Sequence, residues 1–256
     1  AICYLSQYGF CDQLSQAISQ GILKANAQVQ LVDLRASDTQ ELAALIGDAK
    51  AVVVPTWPTK TDPDLQNAIV TLIAALKPQQ WIGVYDCYGG NDEPIDSVAN
   101  QLRKSGQKEA FVPLRVKEIP NGNTFQTFEE AGTDLGQILI RKKNIAAVKS
   151  LDFDLDKAMG TLSGGLYVVT ASQEDDSNDK RNGAMVASWV SQASFKPPGL
   201  TVAVAKDRAI EALMKVGDRF VINILSEDNY QPLLKQFLKR FPPGANRFEG
   251  VSVLED

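Results

Sequence analysis

The sequence predicts the α/β fold class, with a doubly wound, five-stranded parallel sheet followed by a second domain built as a β-barrel. Two observations support this prediction. Five short, β-rich apolar runs alternate with helical segments in the first part of the chain, and strands with few helices follow them. The chain has 256 residues, 44% of them hydrophobic, which is enough apolar material for two modest cores. We expect a first domain over residues 1–145 and a second over 146–256.

The first domain is expected to alternate strands with helices, a pattern typical of a parallel sheet covered on both faces. Segments with the apolar spacing of helices separate the strands. The number and size of these strands and helices match a doubly wound domain of the flavodoxin type. The predicted strands are 2–5, 29–34, 51–56, 81–85 and 111–116, and the predicted helices lie near 14–23, 39–46, 65–76, 93–105 and 124–141.

The composition excludes several classes of function. A formal net charge of −5, from 31 acidic and 26 basic residues, argues against a dedicated nucleic-acid surface. The sequence contains no histidine, which excludes a Ser-His-Asp triad, a histidine-ligated zinc and a histidine-rich di-iron site within this chain. Three cysteines without a CxxC pair are expected to be reduced thiols. With no apolar run of membrane length, we expect a cytoplasmic protein. Because histidine is absent, any chemistry is expected to come from a bound cofactor, from carboxylates or from thiols, and the chain could also have no chemical activity.

Three loops are expected at the carboxyl edge of the first sheet, where open parallel sheets bind ligands. The first loop reads SQYGFC (6–11), the second PTWPTKTDP (55–63) and the third DCYGGNDE (86–93). The first leads into a helix, whose free N–H groups can hold a phosphate; an ordinary strand-to-helix turn is the alternative. Aromatic residues on the other two loops predict a slot for a flat ring, or else partly buried packing. The candidates are Ser6, Gln7, Tyr8, Gly9, Phe10, Cys11, Pro55, Thr56, Trp57, Tyr88, Gly89 and Gly90.

Taken together, SQYGFC, VVPTW and CYGGNDE make residues 1 to about 145 resemble the flavodoxin-like module of flavodiiron proteins. The resemblance implies FMN, with its phosphate on the first loop and its isoalloxazine between the other two. Three positions depart from that family's pattern. Cys11 stands where a hydroxyl residue usually ends the phosphate loop, Gly90 replaces a tryptophan, and Asp92 replaces a glycine and adds negative charge.

The second domain is expected to contain mostly strands. Residues 144–162 are predicted to be a connector with a short helix, and the polar stretch 174–182 an exposed hairpin connection. The predicted strands are 165–172, 184–193, 200–205 and 220–225, with helices near 207–216 and 230–241.

Residues 183–225, with a hydroxyl-rich strand, a Pro-Pro pair, a charged turn and an Asn-bearing strand, resemble the flavin reductase family. That resemblance implies a flavin reductase-like split β-barrel that binds FMN at a dimer interface. Hydroxyl and amide groups can bond the polar edge of the ring, and two cations can neutralise a phosphate. The alternatives are serines that only face solvent, an inward-packed Trp189 and Asp207 as a helix cap. The residues carried over are Ser188, Trp189, Ser191, Gln192, Ala193, Ser194, Lys206, Arg208 and Asn223.

The two modules in this order resemble the C-terminal part of the flavodiiron proteins of cyanobacteria and other oxygenic phototrophs, also called diflavin flavoproteins. The resemblance implies an oxidoreductase that carries electrons from NAD(P)H through FMN, one possible site per domain, to a metallo-β-lactamase-like di-iron domain that reduces oxygen to water. Iron would belong only to that domain, which we expect to be absent from this chain, and the second domain is expected to be incomplete at its C-terminus.

Two other interpretations stay open. The chain could be a degenerate partner subunit whose flavodoxin-like domain binds FMN weakly or not at all, or a stand-alone NAD(P)H:flavin reductase. A homodimer, or a heterodimer with a related subunit, is the assembly that the resemblance implies.

Overall fold

The structure, a computed structural model, consists of two compact units, Ala1–Lys142 and Lys143–Asp256. Each unit is described by itself. The residues that the structure describes are 1–90, 95–103, 106–148, 164–174, 180–227 and 230–254.

The first unit contains a five-stranded parallel sheet in the order β2-β1-β3-β4-β5. Each strand pairs in parallel with its neighbour, as in Ile2 with Leu31 and Ala51 with Trp81. This strand order is that of flavodoxin-like folds and confirms the predicted fold class. The strands are β1 (Ile2–Tyr4), β2 (Leu31–Asp33), β3 (Ala51–Pro55), β4 (Trp81–Tyr85) and β5 (Lys108–Glu109).

Helices follow each of these strands. Two of them begin at strong capping residues: the Asp38 carboxylate accepts from the first-turn N–H groups of one helix, and Asp62 does so ahead of Pro63 in the next. The helix after β1 has no side-chain cap at its N-cap residue, Phe10. The helices are α1 (Cys11–Lys24), α2 (Thr39–Asp48), α3 (Pro63–Ala75), α4 (Ile95–Arg103) and α5 (Gly122–Val148).

Helices α1 and α5 pack backbone to backbone. Gly21 of α1 lies against the Glu129 carbonyl, and Gly132 of α5 lies against the Ile18 carbonyl, so that a Cβ at either glycine would collide with backbone. Lys24 and Glu129 add an ion pair of 2.7 Å between the same helices. Helix α1 also contacts β1, and the Phe128 ring of α5 packs edge-on against Tyr85 of β4.

The fifth strand lies earlier than predicted. The structure places it at Lys108–Glu109, whereas the expected run 111–116 forms no strand and contributes only a bridge from Leu114 to Tyr85. Pro113 lacks the N–H that a strand ladder needs, and the Phe111 ring packs against Gly83 of β4. The prediction for 111–116 was therefore wrong, because its apolar residues serve the core rather than a ladder.

The second unit contains two antiparallel sheets, β10-β6-β7 and β8-β9. Its compact core is formed by apolar residues of β6, β7 and a short 3₁₀ helix. Antiparallel strands in this part of the chain are consistent with a flavin reductase-like fold, although the described strands do not close a barrel. The elements are β6 (Tyr167–Glu174), β7 (Lys180–Ala187), β8 (Val190–Phe195), β9 (Pro198–Val202), the 3₁₀ helix (Ala209–Leu213), β10 (Phe220–Ile224) and α6 (Tyr230–Leu238).

Several boundaries differ from the predictions. The expected strand 184–193 is interrupted at Ser188 and Trp189, and the expected helix 207–216 is only a 3₁₀ turn. The expected hairpin connection 174–182 is shorter, because β6 and β7 stay paired as far as Glu174 and Lys180. Helix α5 continues to Val148 and so includes the start of the predicted connector. Residues 91–94, with Asp92 among them, and 149–163, most of that connector, lie outside the described residues.

Across the residues described, none of the helices combines the length and apolar character needed to cross a membrane.

Candidate functional site

The first loop turns sharply at the carboxyl end of β1. Gln7 and Gly9 have φ angles of 60° and 53°, in the left-handed region, and the loop ends where Cys11 begins α1. Gly9 is required at its position, because a Cβ there would collide with the Cys87 carbonyl of the third loop. The turn therefore leads from β1 into a helix, as the sequence predicted.

Five of the six N–H groups of the first loop already have acceptors in the protein. A phosphate site needs N–H groups that point at the ligand without another acceptor. Five donors are engaged: Ser6 to Asp33 Oδ1 (3.3 Å), Gln7 to Asp12 Oδ2 (3.1 Å), Tyr8 to the Leu5 carbonyl (3.3 Å), Phe10 to the Cys87 carbonyl (2.8 Å) and Cys11 to the Tyr8 carbonyl (3.0 Å).

Two of those acceptors are carboxylates, which changes the charge of the site. Asp12 and Asp33 bring negative charge against the N–H groups of Gln7 and Ser6, where a phosphate would have to bind. A dianion would have to displace both carboxylates and would be repelled by them. This arrangement does not fit the phosphate of FMN. The assignment of that phosphate to residues 6–11 stays a prediction that the geometry opposes.

The first and third loops also close on each other. Tyr8 lays its ring on Gly89, Gly90 lies near the Tyr8 hydroxyl, and the Phe10 and Tyr88 rings are tilted at a centroid distance of 6.2 Å. Contacts between the loops thus use Tyr88, one of the two aromatic residues that were predicted to hold a flat ligand.

The second loop contacts the third loop and the core of the first unit. Pro55 ends β3, and the buried Thr56 hydroxyl accepts from the Cys87 N–H at 3.2 Å. Trp57 is half-buried and packs against the core of the first unit, which agrees with the packing interpretation of this residue. Tyr88 is 37% exposed and has a φ of 53°.

A cluster of buried thiols lies beneath these loops, and sequence reasoning missed it. The Cys87 thiol donates to the Cys11 sulfur over 2.9 Å, and the Leu5 N–H donates to the same sulfur over 3.2 Å. The Tyr85 hydroxyl lies 3.3 Å from Cys11 and donates to the Cys3 carbonyl at 2.8 Å. Cys11 therefore directs its side chain into the core and offers no donor to the loop opening.

Burial and hydrogen bonding act in opposite directions on these thiols. Burial alone would raise the pKa of Cys11, but the hydrogen bonds that its sulfur accepts outweigh burial and hold its pKa below the usual value. Burial raises the pKa of the Cys3 thiol to about 12 and that of Tyr85 well above its ordinary value. The only available sequence signal was two cysteines beside two neighbouring loops.

The second unit presents a different surface along β8. Ser188 and Trp189 lie between β7 and β8 and are exposed, Trp189 to 68%. Ser191, Gln192 and Ala193 are exposed on β8, and Ser194 is half-buried beside a bulge. The inward-packed Trp189 that was the alternative does not occur.

Polar contacts hold the side chains of this hairpin. The hydroxyls of Ser191 and Thr201 lie 2.8 Å apart, joining β8 to β9, and Gln192 Nε2 donates to the Ser194 carbonyl at 3.5 Å. The result is an exposed row of hydroxyl and amide groups on a paired strand.

Two cations follow β9 directly. The Ala203 N–H donates to the Trp189 carbonyl at 3.0 Å, which keeps the chain beside β8 up to this point. Lys206 comes three residues later, within about 10 Å of chain length, and Arg208 follows it; both side chains are exposed. Arg208, rather than Asp207, occupies the N-cap position of the 3₁₀ helix.

Asn223 is exposed on β10, in a different sheet from β8 and β9. Its Nδ2 donates to the Val168 carbonyl at 3.0 Å, across the β10–β6 ladder. The remaining candidates of the second unit combine hydroxyls, an amide, an indole and two exposed cations. That set of groups fits FMN, whose ring has a polar edge and whose phosphate needs positive charge. No group of side chains suited to hold a metal ion occurs among the residues that are described.

Comparison with known proteins agrees with both units. A family model described as "Flavin reductase like domain" matches residues 159–256. The chain is 53% identical over 252 residues to "Diflavin flavoprotein A 1" of Synechocystis sp., and 51% identical over 253 residues to "Putative diflavin flavoprotein A 3" of Nostoc sp.. Each alignment covers 98% of this chain and 43% of the relative, so the chain spans less than half the length of these relatives.

Two solved structures are similar to the first unit. The flavodoxin-like domain of a Synechococcus sp. protein has a TM-score of 0.54 and 46% identity, covering 55% of this chain and 97% of that domain. The crystal structure of a diflavin flavoprotein A3 from Nostoc sp. has a TM-score of 0.54 and 38% identity, covering 57% of this chain and 95% of that one. With the predicted flavodoxin-like sheet and the flavin reductase match in the predicted order, the chain belongs to the diflavin flavoprotein family.

Proposed function

We propose that this chain is the electron-transferring part of a flavin-dependent oxidoreductase, with NAD(P)H as the donor and FMN held by the second unit. The observation that carries the proposal is the exposed row of polar groups on β8, together with Lys206 and Arg208, which follow the paired strand β9. The name "diflavin flavoprotein" of the relatives supports a flavin as the ligand.

Each group of the second unit has a role that its chemistry suits. Lys206 and Arg208 neutralise the phosphate, and Arg208 can do so through two parallel hydrogen bonds. Ser188, Ser191 and Gln192 bond the polar edge of the ring, while the Trp189 indole can cover an apolar surface. FMN, when bound, supplies the hydride acceptance and single-electron donation that no side chain here can provide.

The first unit has a different role in this proposal. The carboxylates of Asp12 and Asp33 already accept from N–H groups of its first loop, so we assign this unit to assembly with partner domains rather than to holding the FMN phosphate. Electrons then pass from the second unit to a di-iron domain of the full-length protein, where oxygen is reduced to water. We expect a homodimer or a heterodimer with a related subunit, in the cytoplasm, where free thiols such as those of this chain stay reduced.

The proposal is tested by mixing the FMN-loaded chain with NADH or NADPH in the absence of oxygen and following the visible flavin absorbance. Bleaching of bound flavin by one of the two donors supports it. The Lys206→Ala variant should bleach less at the same FMN concentration, because it binds less FMN, whereas Lys215→Ala, at an exposed lysine of the same unit, should match the unaltered chain. Bound FMN that neither donor reduces would exclude direct nicotinamide oxidation by this part of the protein.

A further inference from the structure

The thiols of Cys11 and Cys87 lie side by side at the carboxyl edge of the first sheet. Cys11 is the first residue of α1, and Cys87 comes two residues after the end of β4. Their sulfur atoms are 2.9 Å apart, and neither residue is exposed. This contact joins positions 76 residues apart in the chain, so it depends on the fold and not on local sequence.

The surroundings of Cys11 favour its nucleophilic form. Its sulfur accepts from the Leu5 N–H and the Cys87 thiol, with the Tyr85 hydroxyl 3.3 Å away. Hydrogen-bond donors around a sulfur stabilise the thiolate, which is the form that attacks peroxides and disulfides. The pKa of Cys11 lies below its usual value for this reason. Cys87 is placed as the second thiol of a reacting pair.

Cys3 differs from the other two cysteines. It lies on β1, is fully buried, and burial raises the pKa of its thiol to about 12. A thiol with such a pKa stays protonated at neutral pH and reacts slowly. The chain therefore contains an internal control of the same residue type in the same core.

We propose that Cys11 and Cys87 form a redox-active pair that a small hydroperoxide converts into a reversible disulfide. The Cys11 thiolate attacks the peroxide, whose O–O bond breaks, to give a sulfenic acid; with hydrogen peroxide the other product is water. The Cys87 thiol then attacks the sulfenic sulfur, forming the S–S bond and releasing a second water. In sum, two thiols and one hydrogen peroxide give one disulfide and two waters, and a dithiol reductant returns both thiols.

The oxidant reaches the pair through the third loop. Tyr88, directly after Cys87, is 37% exposed, and Gly89 and Gly90 are also exposed, so a small displacement of residues 88–90 admits a molecule as small as hydrogen peroxide. Once formed, the disulfide ties the third loop to the start of α1, fixing the contact in which the Phe10 N–H donates to the Cys87 carbonyl. Oxidation thus fixes the contact between Phe10 and Cys87, whether or not the second unit binds FMN.

The test uses the full chain, treated with hydrogen peroxide, quenched with N-ethylmaleimide in denaturant, and analysed by intact mass and peptide mapping. We expect a Cys11–Cys87 cross-link with Cys3 alkylated, reversal by dithiothreitol, and a higher midpoint of thermal unfolding for the oxidised chain. The Cys3→Ala variant should form the same cross-link, and Cys11→Ala and Cys87→Ala should not.

Three results would overturn the proposal: a cross-link that includes Cys3, added oxygen on Cys11 or Cys87 without a cross-link, or three alkylated thiols at every peroxide concentration that leaves the chain folded. The peptide map of the unaltered chain decides among these by itself. The proposal therefore stays testable even if a variant fails to fold.

Discussion

The backbone N–H of Gln7 donates a hydrogen bond of 3.1 Å to the carboxylate of Asp12. The first loop thus gives one of its N–H groups to an acid of its own chain. The Ser6 N–H likewise donates to the carboxylate of Asp33. Asp38, which caps α2, lies five residues further along the chain. These two acids place negative charge beside N–H groups that a phosphate on this loop would use.

Replacing both acids should therefore create a phosphate site. We expect the double variant Asp12→Ser and Asp33→Ser to bind one more FMN per chain than the unaltered protein. Unit charges 4 Å apart interact by about 1 kcal/mol in water and more in a partly buried site, so each change should tighten phosphate binding roughly tenfold. Fluorescence titration with FMN measures the effect.

Asp38→Ser provides the matched control, since it removes one negative charge from the same unit while a serine still caps α2. Its FMN binding should equal that of the unaltered chain. A double variant that gains no FMN would show that the carboxylates are not what excludes the phosphate.

The contact between α1 and α5 predicts a contrast between two glycines. Gly21→Ala would drive a Cβ into the Glu129 carbonyl, and we expect a loss of about 1–3 kcal/mol in the free energy of unfolding from overpacking. Gly47→Ala in α2 meets the flexible Lys77 side chain at 3.4 Å and the Ala75 carbonyl at an ordinary 3.9 Å, and should gain about 0.5–1 kcal/mol from helix propensity. Urea unfolding of both variants gives the comparison; equal effects would contradict the packing described for α1 and α5.

The buried thiol of Cys3 predicts a loss of stability at alkaline pH. Its pKa of about 12 in the folded chain exceeds the ordinary value of 9.0, so the unfolded chain releases this proton first. The stabilisation is complete below pH 9.0 and is lost as the pH rises towards 12. The slope is about 1.4 kcal/mol per pH unit, which amounts to about 4 kcal/mol across the window.

Urea unfolding between pH 9.0 and 10.5 should therefore show a shallower decline for Cys3→Ala than for the unaltered chain. The comparison of slopes is independent of the cavity that the alanine leaves, because that cost is the same at each pH. Tyr85, with a pKa well above its ordinary value, adds a decline above pH 10.0 in both proteins. Identical slopes would mean that Cys3 does not keep its proton in the folded state.

The Asn223→Ala variant tests whether this amide has a structural or a ligand-binding role in the second unit. Because its Nδ2 donates to the Val168 carbonyl, Asn223→Ala should cost up to about 1 kcal/mol of stability and leave FMN affinity unchanged. Thermal unfolding and FMN titration on the same sample check both statements. A weaker FMN affinity without loss of stability would return Asn223 to the ligand site.

Sequence patterns predicted the strand positions correctly where an apolar run lies wholly within the sheet. The run 81–85 is apolar and buried within the sheet, and β4 has those bounds. The run 111–116 is just as apolar but contains Pro113 and packs into the core, so its strand was misplaced. The Cys11–Cys87 contact could not be predicted, because it depends on how two side chains meet across loops that are distant in sequence.

The central claim, that the flavin belongs to the second unit, is tested most directly by titrating the full chain with FMN and counting the ligands bound. We predict one FMN per chain, with affinity weakened about tenfold or more in Lys206→Ala and in Arg208→Ala and unchanged in Lys215→Ala. Two FMN per chain, or a single site that neither of those two substitutions weakens, would contradict the account.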